Sequence, residues 1–147
     1  MGSAAPELVL RLSRRIPAPR DRVFALLTEP PELARWWGPR DFTIPDVHVE
    51  LRVGGRYRIT MRPPDGAEFH LSGEYLDVEV PRRLRYTFGW DEPHPDDRVT
   101  IVDLTLDDLG EATVVSLVQG DFATPDRLAL HEAGWGDSLA KLAALAT

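Results

Sequence analysis

His131 and Trp135 stand one helical turn apart in the closing stretch TPDRLALHEAGWGDSLAKLAALAT, residues 124–147, so a helix puts both on one face. A histidine among apolar neighbours can act as acid or base near neutral pH, or bind a carboxylate. The plainer reading is an imidazole hydrogen-bonded at the start of its helix. Gln119 falls in the inward phase of residues 113–119, beside Val115 and Leu117. A buried amide must find partners. Those partners are a ligand's polar group or His131. Trp36, Trp37, Trp90 and Trp135 are the largest apolar groups, each able to bury roughly 150–250 Å². They line a flat or lipid-like ligand, or they pack a core. Ser138 has no nucleophile-elbow motif around it, so it has no activated setting. The histidines are scattered rather than paired at ligand spacing, and no glycine-rich phosphate loop occurs. No metal and no cofactor is expected, and His131 is the catalytic candidate if the protein is an enzyme.

The bulk numbers narrow the partners. A net charge of −7 argues against nucleic acid and against anionic membrane surfaces, since both need a basic face. The chain has no cysteine, which excludes disulfides, thiolate nucleophiles and cysteine zinc sites. No apolar run reaches spanning length and the start lacks a signal-peptide core, so a cytoplasmic protein is expected. Residues 1–6 read as a disordered or tag-derived start. Residues 7–147 suit one domain with one core. A homodimer or a protein partner stays open.

The elements that must position these groups follow from periodicity. Residues 8–16 read as a strand, with Leu8, Leu10 and Leu12 on one face. Two short helices come next, 20–28 with Pro19 at its first position, and 32–37; Pro30-Pro31 separates them and Gly38-Pro39 ends the second. They make an elbow with Trp36-Trp37 at its tip. Residues 42–51 are extended but interrupted by Pro45. Residues 56–62 alternate, with Tyr57, Ile59 and Met61 together. Residues 68–80 follow the turn Pro63-Pro64-Asp65-Gly66, with Phe69, Leu71, Gly73 and Tyr75 on one face. The apolar phase slips at residues 76–78, which predicts a bulge. Leu84, Tyr86, Phe88 and Trp90 alternate in the next strand, and 91–97 is a polar, proline-rich loop of low order. Two strands follow, 99–106 and 113–119. The closing stretch is one long helix, capped by Thr124 with Pro125 at its first position. Leu128, His131, Trp135, Leu139, Leu142 and Ala146 form its stripe. The stripe's second half is Leu and Ala. Its first half carries His131, Trp135, Ser138, Gly134 and Gly136, and reads as the wall of a cavity. Hairpin turns between neighbours predict an α+β fold with a curved, mainly antiparallel sheet of six to seven strands wrapped round this helix.

The segment Pro17-Ala18-Pro19-Arg20-Asp21-Arg22-Val23-Phe24 and the following Trp36-Trp37-Gly38-Pro39 resemble the opening of the activator of heat shock protein 90 ATPase homologue family. So do residues 53–58, 64–66, 73–76 and 84–88. The ending, residues 131–139, is similar to that family's C-terminal signature. The resemblance covers nearly all of residues 7–146. It implies the START-like (SRPBCC) superfamily, the helix-grip fold, and a hydrophobic cavity between sheet and last helix. Eukaryotic co-chaperones of the group carry a separate N-terminal domain that engages the chaperone. This chain shows no counterpart, so the family name alone does not make it a chaperone activator.

These readings converge on a domain that holds a small hydrophobic molecule. Trp37, Tyr57, Met61, Phe69, Tyr75, Phe88, Trp90, Gln119, His131 and Trp135 are the expected wall, with His131 and Gln119 setting orientation. Two alternatives stand beside it. One is an enzyme of the polyketide cyclase or dehydratase kind with His131 as acid or base. The other is a co-chaperone-like protein-interaction domain.

Overall fold

In the computed structural model, residues 8–146 are described; the expected loose start at 1–6 lies outside them. The elements run β1 Leu10–Ile16, α1 Arg20–Thr28, α2 Pro30–Trp36, β2 Thr43–Val49, β3 Arg56–Arg62, β4 Phe69–Glu79, β5 Arg83–Trp90, β6 Thr100–Asp108, β7 Thr113–Gly120 and α3 Pro125–Ala146. One seven-stranded antiparallel sheet has the order β1-β7-β6-β5-β4-β3-β2. Strands β2 to β7 form a meander, because each connection is too short to do anything but reverse the chain. The α1–α2 elbow carries the chain from β1 to the far edge. Strand β1 then pairs with β7, Leu10 opposite Gln119 and Ile16 opposite Thr113.

Alternation sets which face of the sheet is buried. Tyr57, Ile59 and Met61 of β3, Leu71 and Tyr75 of β4, and Leu84, Tyr86 and Phe88 of β5 all point into the core. Val102, Leu104 and Leu106 of β6 and Val115, Leu117 and Gln119 of β7 continue that face. Against it lies α3, contributing Trp135, Leu139 and Leu142. Each fully buried Val, Leu, Ile, Met or Phe side chain among them is worth about 1.5–3 kcal/mol. The phase slip in β4 is a bulge: Tyr75 pairs with Tyr86 but Asp77 pairs with Arg85, so Leu76 is the extra residue. Register also shifts between Thr43 and Asp46, around Pro45, which has no N–H to give the ladder.

Several boundaries differ from expectation by a residue or two. Strand β1 begins at Leu10 rather than at residue 8. Helix α2 begins at Pro30 rather than at residue 32, because two prolines fit in a first helical turn whose N–H groups need no partner. Pro19 is the N-cap of α1 rather than its first helical residue. Thr124 does cap α3: its Oγ1 accepts the Arg127 N–H at 3.2 Å.

Helix α3 is fastened to the segment after α2 by polar groups. The Arg40 N–H donates to Asp137 Oδ2 at 3.2 Å. Ser138 Oγ lies 3.1 Å from the Gly38 carbonyl and 2.9 Å from that of Gly134. Lys141 Nζ donates to the Trp37 and Pro39 carbonyls at 3.3 and 3.2 Å, and burial lowers its pKa. Most of these bonds satisfy carbonyls of the irregular segment just past α2. No described helix is long and apolar enough to cross a membrane.

Candidate functional site

Beside the first half of α3, between that helix, the sheet and the elbow exit, lies a hollow of about 570 Å³ that opens to solvent. Arg127, Leu130, His131, Gly134, Trp135 and Ser138 face it from the helix. Their spacing is i, i+3, i+4, i+7, i+8, i+11, one continuous helical face. This face is a flank of the core stripe, turned toward the elbow. The sheet supplies Met61 from β3, Phe69 from β4, and Phe88 and Trp90 from β5. The elbow exit supplies Trp37, Gly38, Pro39 and Phe42. Gly38 has φ +89°, the left-handed conformation that favours glycine, and a Cβ there would lie 3.1 Å from Met61 Cε. It ends α2 and lets Trp37 turn toward α3, where the two indoles meet edge to face at 5.2 Å.

His131 is held by both ring nitrogens. Nδ1 lies 2.7 Å from the Arg127 carbonyl, and the Trp90 indole N–H donates to Nε2 at 3.3 Å. A carbonyl can only accept and an indole N–H can only donate, so the ring is neutral with its proton on Nδ1. It is packed by Phe122 at 4.9 Å and Phe88 at 5.6 Å, ring centre to ring centre. Burial, reinforced by the Arg127 charge, pushes its pKa below the usual histidine value against smaller opposing effects. A second proton would set N–H against the Trp90 N–H. The site therefore favours an imidazole that neither takes nor gives a proton without first losing a neighbour.

Gln119 is spent elsewhere. It is fully buried, its Oε1 accepts the Trp135 indole N–H at 2.7 Å, and its Nε2 donates to Thr100 Oγ1 at 2.9 Å. The expected pairing with His131 does not form; Trp90 takes that position. Gln119 holds Trp135 in its rotamer from behind, outside the wall of the hollow.

The structure thus brings seven of the ten expected residues to one hollow: Trp37, Met61, Phe69, Phe88, Trp90, His131 and Trp135. Tyr57, Tyr75 and Gln119 lie outside it. Tyr57 and Tyr75 share the inward phase of the sheet, but they sit further along their strands and close on each other and on Tyr86 at 5.6 and 5.2 Å from Tyr57. Phe69, expected inside, stands at the mouth with 48% of its surface exposed, stacked on Phe42 at 6.4 Å and edge-on to Trp90 at 6.3 Å. Gly136 faces outward.

Sequence reasoning did not name Phe42, Leu130 or Arg127 for the site. Counting back four from His131 reaches Arg127, and counting back four from Gly134 reaches Leu130. Phe42 carried no periodic signal, because the chain leaves α2 irregularly. Loop 91–97, expected to be loose, is tied down. Asp97, its side chain 7% exposed, takes Arg127 Nε and Nη2 at 2.8 and 2.7 Å and the His94 N–H at 2.8 Å. The loop is thereby fixed as a rim of the hollow.

A curved antiparallel sheet gripping a long terminal helix, with an α-helical elbow after the first strand, defines the helix-grip architecture of the START-like superfamily. Within it the chain belongs to the family described as Activator of Hsp90 ATPase homolog 1-like protein, matched over residues 17–147. Among solved structures, protein CV1439 from Chromobacterium violaceum is 30% identical, covers 95% of this chain and 96% of its own, and superposes with a TM-score of 0.83. Protein NE0264 from Nitrosomonas europaea is also 30% identical, with coverage of 97% and 96% and a TM-score of 0.80. The AHSA1 protein from Silicibacter pomeroyi is 28% identical, with coverage of 92% and 95% and a TM-score of 0.79. No curated protein matches the sequence.

Proposed function

We propose that this domain binds a small, largely apolar molecule between the start of α3 and the sheet. The observation that carries the reading is the hollow's wall: Trp37, Phe42, Met61, Phe69, Phe88, Trp90 and Trp135 present carbon, and most of the wall's hydrogen-bonding groups are already satisfied by the protein. Removing apolar ligand surface from water is worth roughly 25 cal/mol per Å² before the costs of binding. Shape and ring contacts then decide which molecule fits, since His131 and Gln119 have no spare group to orient it.

The enzyme reading is weaker on the same observation. General acid–base work needs a nitrogen free to exchange a proton with substrate, and both nitrogens of His131 are engaged. For a protein-docking surface, an apolar patch would serve, yet Val53, Val80, Val99 and Leu109 sit on four separate connections of the sheet, and the exposed Phe69 and Leu130 belong to the hollow. A titration with the neutral fluorophore N-phenyl-1-naphthylamine, followed by tryptophan quenching, tests the proposal. Saturable one-to-one binding with a raised melting temperature is expected. Unchanged tryptophan emission and no thermal shift, for this probe and for a broad apolar library, contradict it.

A further inference from the structure

Resting on the binding proposal, the charges around the hollow say which molecules it admits. Glu68, Glu92 and Asp97 are the carboxylates in the wall, and Arg127 is its one basic side chain apart from histidines. Arg127 gives Nε and Nη2 to Asp97 and has its charge cancelled there. Glu68 is paired outward with Arg62 at 2.6 Å. Glu92 forms no ion pair among the described residues and stands exposed at the mouth. His131 is neutral by its two hydrogen bonds. A carboxylate entering here meets no lysine or arginine free of a carboxylate partner; His70 and His94, also in the wall, lie against Thr60 Oγ1 and Asp96. The carboxylate meets Glu92 and the field of a chain carrying −7.

The rings add a preference of their own. Trp37, Trp90 and Trp135 with Phe42, Phe69 and Phe88 surround the space, and an aromatic face attracts a cation through its quadrupole, tryptophan most strongly. From this charge inventory and this ring of faces we infer that the hollow selects an aromatic or otherwise apolar amine: its ammonium stays near Glu92 and the mouth, and its apolar body lies among the rings. A fatty acid or aromatic carboxylate, equally apolar, is disfavoured.

The test uses three probes with one ring and different charge: 1-naphthylmethylamine, 1-naphthylmethanol and 1-naphthoate, each titrated calorimetrically into the full chain at pH 7.5. The amine should bind about tenfold more tightly than the alcohol, the range expected for cation–π and partly screened charge contacts together. The naphthoate should bind about tenfold more weakly than the alcohol, and 0.5 M salt should shrink both gaps. Glu92→Gln, a change on an exposed side chain, should narrow the amine-to-alcohol gap about threefold. If the alcohol binds as tightly as the amine, or the naphthoate binds best, the charge selection is overturned while the binding proposal survives. If none of the three binds, the binding proposal itself fails and this inference goes with it.

Discussion

All three tyrosines of the chain pack together on the sheet, and three of its four tryptophans line the hollow. The two regions share the same strands and the same inward phase, yet one is filled and the other is not. Among the tyrosines, ring centres lie 5.2–5.8 Å apart and the Tyr57 hydroxyl donates to the Thr87 carbonyl at 2.6 Å. Gly73 makes this possible: a Cβ there would lie 1.9 Å from the Thr87 oxygen and 2.7 Å from Tyr57 Cε1. At the hollow, Gly134 does the opposite. Nothing occupies the space a Cβ would take, the nearest atom being Pro39 Cγ at 4.0 Å. One glycine admits a neighbour's ring and the other leaves room for something else. Small residues help make the hollow: Gly38, Ala67, Gly134 and Ser138 stand in its wall among the large rings.

The comparison breaks first at Gly73. Gly73→Ala should cost more than about 3 kcal/mol, since backbone blocks the new methyl, and the variant should lose its cooperative urea transition or shift it far downward. Gln119→Met strands the buried Trp135 N–H and should cost about 1–3 kcal/mol in the same melt. It should also change tryptophan emission, because Trp135 loses its anchor. A third outcome concerns pH. Burial depresses the His131 pKa below 6.5, so the folded state prefers the neutral ring. Its stabilisation is complete above 6.5 and declines as pH falls through the folded-state pKa, at no more than about 1.4 kcal/mol per pH unit for one proton. His131→Gln should flatten that slope in urea midpoints measured from pH 8 to pH 5. The smallest signal belongs to the filled region. Burial raises the pKa of Tyr57, Tyr75 and Tyr86, so tyrosinate absorbance should stay near zero at pH 10 in the folded protein and appear with unfolding.

The order of elements was legible because each has a strong periodic pattern bounded by Pro or Gly. The β4 bulge was legible too, since a phase slip at Leu76 leaves a trace in the alternation. What alternation could not separate was Tyr57 and Tyr75 from Met61 and Phe69. Period two assigns a face, not a distance along the strand from the helix that covers it. The inward phase of Gln119 makes it legible as a buried amide in need of partners. Which partners was a matter of the register of β6 against β7 and the rotation of α3, neither of which a single sequence states. The firm hold on loop 91–97 was hidden for the same reason: Asp97 and Arg127 are 30 residues apart.

The central claim is that the space beside Gly134 is a binding space. Gly134→Leu and Gly134→Ala, each titrated with N-phenyl-1-naphthylamine and melted in parallel with the parent chain, test it most directly. The alanine should raise stability by about 0.5–1 kcal/mol, as a helical glycine gives up its excess freedom, and keep binding. The leucine should leave the fold intact and weaken the probe at least about tenfold, because its side chain takes the ligand's place. Equal affinity in all three proteins, with melting transitions intact, would contradict the account.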